Sequence, residues 1–419
     1  MTENHNLYHV FERQFIAAGD TPALTPPGAG PGLSYRDLAE GAGRYANALL
    51  ELGIAPGDRV TVQVEKSAEN VLLYLGTLKA GAVYQPLNTA YSASELEYFI
   101  ADARPAVIVS DPASAPAARD IAGRRGGTVM TLDGRGRGEI AELAAGMPQH
   151  HETVTREPDD LAGLLYTSGT TGRSKGAMIT HRNLVSNTRA LDETWRFAPG
   201  DVLLHALPIF HVHGLYVALG TAFLNRSEIL WHQKFDADAV MRDLPRATVM
   251  MGVPTFYTRL VARDDLTMEA CGHMRLFVSG SAPLLAETHR SFEAKTGHRI
   301  LERYGMTETG MITSNPYDGE RRAGTVGYAL PGVAVRIADD EGCEVPHGEV
   351  GTIEVKGPNV FKGYWDMPEE TARSFRPDGY FITGDLGVME PDGRVSIVGR
   401  GKDLIISGGL NVYPKEVEI

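Results

Sequence analysis

Residues 166–177 read YTSGTTGRSKGA, a stretch rich in Gly, Ser and Thr with two cations, Arg173 and Lys175, toward its end. Short apolar runs flank it. Residues 160–166 (DLAGLLY) and 177–180 (AMIT) both read as buried strands. The stretch is therefore a tight loop between strands. Its glycines permit the φ > 0 conformations that turn successive backbone N–H groups toward one point. Such a nest binds anions, and Lys175 adds a mobile point charge. The physical reading is a polyphosphate cradle. A flexible linker of this composition would have no reason to sit between two apolar strands. The spacing excludes a G-x-x-x-x-G-K-[ST] loop, because Ser174 stands five residues after Gly169 and Gly176 follows Lys175. Kinase-type transfer of a γ-phosphoryl group thereby loses its main signature.

Upstream, helix and strand signals alternate. Residues 34–52 form an amphipathic helix, with Ser34 and Asp37 at capping-box spacing. A strand over 58–64, a helix over 67–79, a strand over 82–87, a second capping box at Ser92 and Glu95 and a strand over 106–110 come next. Residues 112–158 show little periodicity and read as a loose connection with one strand near 128–132; His150 and His151 read as solvent-exposed. Downstream, Leu184, Thr188, Leu191 and Trp195 share a helical face. Strands are expected over 202–207, 229–231, 248–253 and 275–278, with helices over 215–224, 255–262 and from Pro283 to about Lys295. The class is α/β, with two blocks of parallel sheet and ligands at the strand carboxyl ends. Beyond Gly324 the strands alternate and turns sit at Asp340-Glu341-Gly342, Asp378-Gly379 and Asp392-Gly393, so a smaller antiparallel, β-barrel-like unit is expected.

Composition narrows the function. The chain has 419 residues, 43% hydrophobic and 22% charged, as an ordinary globular protein does. A formal net charge of −13 argues against nucleic acid or an anionic membrane as partner. Cys271 and Cys343 make no disulfide framework, and no apolar run approaches the roughly 20 residues needed to span a bilayer. The N-terminus lacks signal- or transit-peptide character, so a cytoplasmic enzyme is expected.

Further stretches carry polar chemistry. Phe210-His211-Val212-His213-Gly214 holds two imidazoles at i, i+2, one suited to a buried helix-entry turn and the other to a pocket. Ser279-Gly280-Ser281-Ala282-Pro283 offers small residues and helix N-terminal N–H groups. Arg303-Tyr304-Gly305-Met306-Thr307-Glu308 packs an aromatic, a hydroxyl and a carboxylate around glycine, and Thr383-Gly384-Asp385 sets a carboxylate where it could grip ribose. In this order, with Gly399-Arg400-Gly401-Lys402-Asp403, the stretches resemble the core motif series of the adenylate-forming superfamily: acyl-CoA synthetases, 4-coumarate–CoA ligases, luciferases and peptide-synthetase adenylation domains.

The resemblance spans essentially the whole chain. It implies a two-step reaction in which a carboxylate attacks the α-phosphorus of ATP, releasing pyrophosphate, and the thiol of CoA then displaces AMP. It also implies roles. Thr167, Ser168, Gly169, Thr170, Thr171, Gly172 and Lys175 would hold the β- and γ-phosphates, neutralising the leaving group. Thr307 would meet the α-phosphate and Glu308 would hold Mg²⁺. Tyr304 and Gly305 would lie at the adenine, with Gly280, Ser281, Ala282 and Pro283 on its other side. Asp385 and Arg400 would bind ribose. His211 joins Lys175, Thr307 and Glu308 as a catalytic candidate. Lys402 would be the hinge of a small C-terminal domain and Gly408 would flank the pantetheine path of CoA. The implied division is a large domain over 1–401 (α/β to about 324, β unit over 325–401) and a hinge segment over 402–419. The family's adenylating lysine falls beyond Ile419, so these 419 residues are expected to bind nucleotide but adenylate slowly.

The acid is read from Arg303. In 4-coumarate-type relatives this position is small; an arginine narrows the pocket and puts a cation at its base. A buried unpaired cation is costly, so a second carboxylate is its natural partner, held bidentately. Ser279 and Met306 would complete the subsite. YQPLNTAYSASELEYFIADA, PRATVMMGVPTFYTRL and TSNPYDGERRAGTVG resemble the malonyl-CoA synthetase branch, which implies malonate or a similar small dicarboxylate, with methylmalonate tolerated. Arg275 and Arg299 are rival anchors, and Arg303 could instead pair with Glu302. A short- or medium-chain monocarboxylate ligase, a carrier-protein-loading adenylation domain and a nucleotide-binding protein without ligase activity remain open from the residues alone.

Overall fold

The computed structural model describes residues 3–28, 30–167 and 173–401, with the backbone of Ile405–Ser407 and Leu410–Val412. Ser168, Gly169, Thr170, Thr171, Gly172, Lys402 and Gly408 lie outside the described residues.

Local signals start the helices where the side chains can satisfy free backbone donors. Ser34 and Asp37 close a capping box before helix Tyr35–Glu51, Ser92 and Glu95 before Ala93–Ala103, and Thr180 and Asn183 before His181–Trp195. The N-terminal helix Leu7–Ala18, which the sequence reading did not assign, is capped by Asn6 and buries Leu7, Tyr8, Phe11 and Phe15. Phe15 packs edge-on against Phe223, so the helix closes the core from outside.

Two sheets carry the α/β part. The first runs Thr128–Thr131, Val107–Ser110, Arg59–Gln63, Val83–Pro86, Leu161–Thr167, Lys175–Thr180. All its pairs are parallel except the last, a hairpin that places Thr167 directly opposite Lys175. The second sheet centres on parallel strands Leu276–Ser279, Val249–Gly252, Val202–His205 and Glu228–Trp231. The N-terminal strand Pro22–Thr25 pairs with Glu228–Trp231, so a segment from the first block completes the second sheet. These strands are buried along their length, as sheets covered on both faces require.

Four expectations are corrected. The weak stretch over 112–158 contains helices Ala115–Arg125 and Glu139–Ala145, short and alanine-rich, whose burial comes from packing rather than from strong periodicity. His151 in that stretch is half-buried, with its ring on Asn47 at 2.9 Å. The helix after Ser279–Pro283 starts at Ala286, so those residues form a loop and not a helix N-terminus. The β unit is an open four-stranded antiparallel sheet of Ala334–Ala338, Gly351–Lys356, Phe381–Met389 and Val395–Arg400; no closed barrel occurs among the described residues. Among the described residues no helix is long and apolar enough to cross a membrane.

Candidate active site

The carboxyl ends of the two α/β sheets and one edge of the third sheet enclose a cleft of about 630 Å³. Its walls bring together Thr167, Lys175, His211, His213, Ser281, Arg303, Gly305, Met306, Thr307, Glu308, Asp385 and Arg400. Residues spread over more than half the chain thus meet at one place, where strand ends leave backbone groups and short loops open to a ligand.

At the hairpin end, Lys175 is part-buried. Its Nζ donates to Glu370 Oε1 at 2.7 Å and lies 4.3 Å from the Tyr364 ring centroid. Lys175 and Arg373 together hold the Glu370 carboxyl down to about 2. Tyr364 Oη donates to Glu308 Oε1 at 3.0 Å. Glu308 itself is buried, and burial pushes its carboxyl above the usual range. A buried carboxylate facing a cleft is the type of hard oxygen ligand that a divalent cation takes. Among the described residues no group of three or more His, Cys, Asp or Glu is placed to hold a metal ion.

At the third sheet, Asp385 and Arg400 are directly paired across adjacent strands, with Arg400 Nε 3.3 Å from Asp385 Oδ1. Tyr304 Oη donates to Asp385 Oδ2 at 2.5 Å. The Tyr304 ring packs with Ile312 and Val355 and is 8% exposed, so it reaches the cleft chiefly through the carboxylate it orients.

At the opposite end, Arg303 is 3% exposed, and neither its Nε nor its Nη2 has a hydrogen-bond partner. Burial pulls the guanidinium down to about 9, which leaves it charged at neutral pH. Its rivals are engaged elsewhere. Arg275 is paired with Asp201 at 2.5 Å and Arg299 with Glu293 at 2.7 Å. Glu302 accepts from the Gly324 amide at 3.0 Å, on the other face of the strand. A second buried polar atom without a partner, His213 Nε2, belongs to a ring that feels the Arg303 charge. Ser279 is in register with Glu302 and does not line the cleft.

The two imidazoles divide as their spacing suggests. His213 is the first residue of the π-helical turn His213–Ala218 and is buried, and burial with Arg303 nearby holds its pKa far below the usual value. Its Nδ1 lies 3.3 Å from Ser281 Oγ. His211 stands exposed at the rim. Of Ser279–Pro283, Ser281 alone lines the cleft; Ser279, expected in the acid subsite, and Gly280, Ala282 and Pro283 do not. Ser281 holds φ at +70°, a left-handed conformation that a non-glycine residue adopts at a cost. The sequence reading gave no role to Tyr364 or Glu370. It paired His211, not His213, with catalysis.

Comparison with known proteins gives a consistent result. The family model described as AMP-binding enzyme matches residues 11–365. A malonate–CoA ligase of Arabidopsis thaliana is 34% identical over 456 residues, covering 100% of this chain and 74% of that protein. The crystal structure of ATP-bound MatB from Rhodopseudomonas palustris superposes with a TM-score of 0.95 at 56% identity, covering 99% of this chain and 82% of that one. A malonyl-CoA ligase in a ternary product complex with methylmalonyl-CoA and AMP superposes at 0.78 and 38% identity, covering 96% and 83%.

Proposed function

The chain belongs to the AMP-binding enzyme family, and on that footing we propose that it is an acid–thiol ligase that converts malonate, ATP and CoA to malonyl-CoA, AMP and diphosphate. Methylmalonate is a second substrate in this reading. The observation that carries the choice of acid is Arg303, a buried guanidinium with two nitrogens unpartnered at the cleft. A buried charge without a partner is tolerated where a ligand supplies one. The distal carboxylate of malonate fits, accepting from Arg303, with His213 also on the cleft wall. Met306, on the cleft wall, limits the substituent on the central carbon.

One carboxylate is thus anchored and the other is aimed at the nucleotide. Its oxygen attacks the α-phosphorus, and the bond to the bridging oxygen of pyrophosphate breaks. Lys175 and the loop after Thr167 receive the leaving charge, and Thr307 lies beside the α-phosphate. The CoA sulfur then attacks the acyl carbonyl, the thiol proton is lost, and AMP departs with the carboxyl oxygen. Asp385 and Arg400 hold the ribose. Glu308 would hold Mg²⁺, which needs few protein carboxylates when phosphate oxygens complete its shell, and which neutralises phosphate charge when bound. His211, exposed on the cleft wall, would act in the second step, toward the thiol. In the same reading residues 1–401 are the nucleotide-binding unit and Lys402 is the hinge to a small C-terminal domain.

The test is a titration of malonate, methylmalonate, succinate, acetate and butyrate into the AMP-bound protein, with pyrophosphate release from ATP followed in a separate assay with and without CoA. Malonate is expected to bind tightest, methylmalonate next, and the monocarboxylates at background. Acetate or butyrate binding as well as malonate would sink the reading.

A further inference from the structure

Lys66 is a buried cation that the reaction leaves unused. It lies just after strand Arg59–Gln63 of the first sheet and is 5% exposed. Its Nζ meets three acceptors: His205 Nδ1 at 2.7 Å, the His205 carbonyl at 2.9 Å and the His232 carbonyl at 2.6 Å. It also lies 4.0 Å from the centroid of the Trp231 ring. His205 ends strand Val202–His205, and His232 comes directly after strand Glu228–Trp231. One side chain of the first sheet therefore grips two neighbouring strand ends of the second.

Those partners define its protonation. A neutral amine offers two N–H groups and one lone pair, so it needs a donor. Two of the three partners are carbonyls, which cannot donate. His205 could donate from Nδ1 either as an imidazolium, which burial and the more basic amine beside it disfavour, or by giving up its Nε2 proton, and Nε2 faces the Gly214 carbonyl at 3.0 Å. His205 is thus the Nε2–H tautomer, and Lys66 is an ammonium with all three protons placed. Burial disfavours charge on both side chains, so His205 remains neutral while Lys66 is held by its acceptors and the indole face.

The contact continues to the cleft. Gly214 sits in the first turn of His213–Ala218, and a Cβ on it would lie 2.0 Å from the Pro208 carbonyl oxygen. That turn has no slack, so the carbonyl held by His205 fixes the height of its first residue. That residue is His213, between Ser281 and Arg303.

We propose that Lys66 is a positioning residue of the acid subsite, setting His213 against Arg303 through His205 and the Gly214 carbonyl. This rests on Arg303 being the dicarboxylate anchor.

The experiment compares Lys66→Met with the wild-type full chain. The malonate Kd of the AMP-bound protein is expected to weaken tenfold or more, while the ATP Kd changes less than twofold, since Lys175, Glu308 and Asp385 lie elsewhere in the cleft. The His213 ring signals in ¹⁵N-histidine NMR are expected to shift without any acid present. Equal weakening of both ligands, or an unmoved His213 signal, would overturn the proposal. Should the variant not fold, the wild-type spectrum decides: His205 must be the neutral Nε2–H tautomer at pH 7, and a protonated Nδ1 refutes the relay. A wild-type protein that binds no malonate rejects the anchor reading, and the His213 and His205 signals still judge Lys66.

Discussion

The Arg303 guanidinium lies flat against the backbone of Gly280: a Cβ at Gly280 would come within 2.3 Å of Arg303 Cζ, 2.5 Å of Nη1 and 2.6 Å of Nε. Gly280 thereby lies directly against the cation proposed to anchor the acid. The loop before helix Ala286–Thr296 is close enough to exclude any side chain at that point.

Gly280→Ala should displace the guanidinium, because Arg303 is buried and has little room to turn. Overpacking of this kind costs about 1–3 kcal/mol. Calorimetry should show the malonate Kd weakened at least tenfold with ATP affinity little changed. In the double variant with Arg303→Met the melting temperature should recover, since the clash and its partner go together. Additive losses would show that Gly280 acts elsewhere.

Arg303→Met should separate function from stability. Losing a charge-assisted anchor costs about 2–5 kcal/mol of acid binding, or about thirtyfold and more in Kd. The same change removes a buried charge that the apo protein leaves unpaired, so the melting temperature should rise. A lower melting temperature with malonate binding intact would make Arg303 a scaffold residue.

Glu308 gives a pH signature. Burial raises its folded pKa above the unfolded value, so the folded state holds the proton longer. Its contribution is most favourable below the unfolded pKa and is lost as pH rises through the folded one. Glu308→Gln should therefore melt above the wild type at pH 8, with the gap closing toward about pH 4, near the unfolded value. The same variant should lose the Mg²⁺ dependence of ATP binding.

Glu370 has the opposite sign. Lys175 and Arg373 depress its pKa to about 2, so its stabilisation is present above the unfolded pKa and fades as pH falls toward 2. It also occupies the amine proposed to meet phosphate. Removing that competitor in Glu370→Gln should tighten ATP binding by about fivefold, the equivalent of about 1 kcal/mol for a part-exposed pair. Weaker ATP binding would mean that Glu370 aims Lys175 instead of competing for it.

Much of the molecule was legible in its residues. The capping boxes at Ser34 and Ser92, and the apolar strands around them, depend on neighbours within a few positions, and they stand where the spacing placed them. The weak stretch over 112–158 was not legible, because Ala115–Arg125 and Glu139–Ala145 owe their burial to packing. Tyr304 could be seen near the nucleotide site, but not that its hydroxyl is on Asp385, eighty-one positions away. His213 could be seen as one of two imidazoles, but not as the buried one.

The sequence alone determined the α/β class, the order of the ligand-binding stretches and the chemistry they share, because each stretch is short and its conformation is set locally. Only the tertiary structure decided which charges are paired. Arg275 meets Asp201, Lys175 meets Glu370, Lys66 meets the strand ends at His205 and His232, and Arg303 keeps two nitrogens without a partner. Charge pairing depends on distance and burial between residues far apart in the chain, and neither is fixed until the sheets pack.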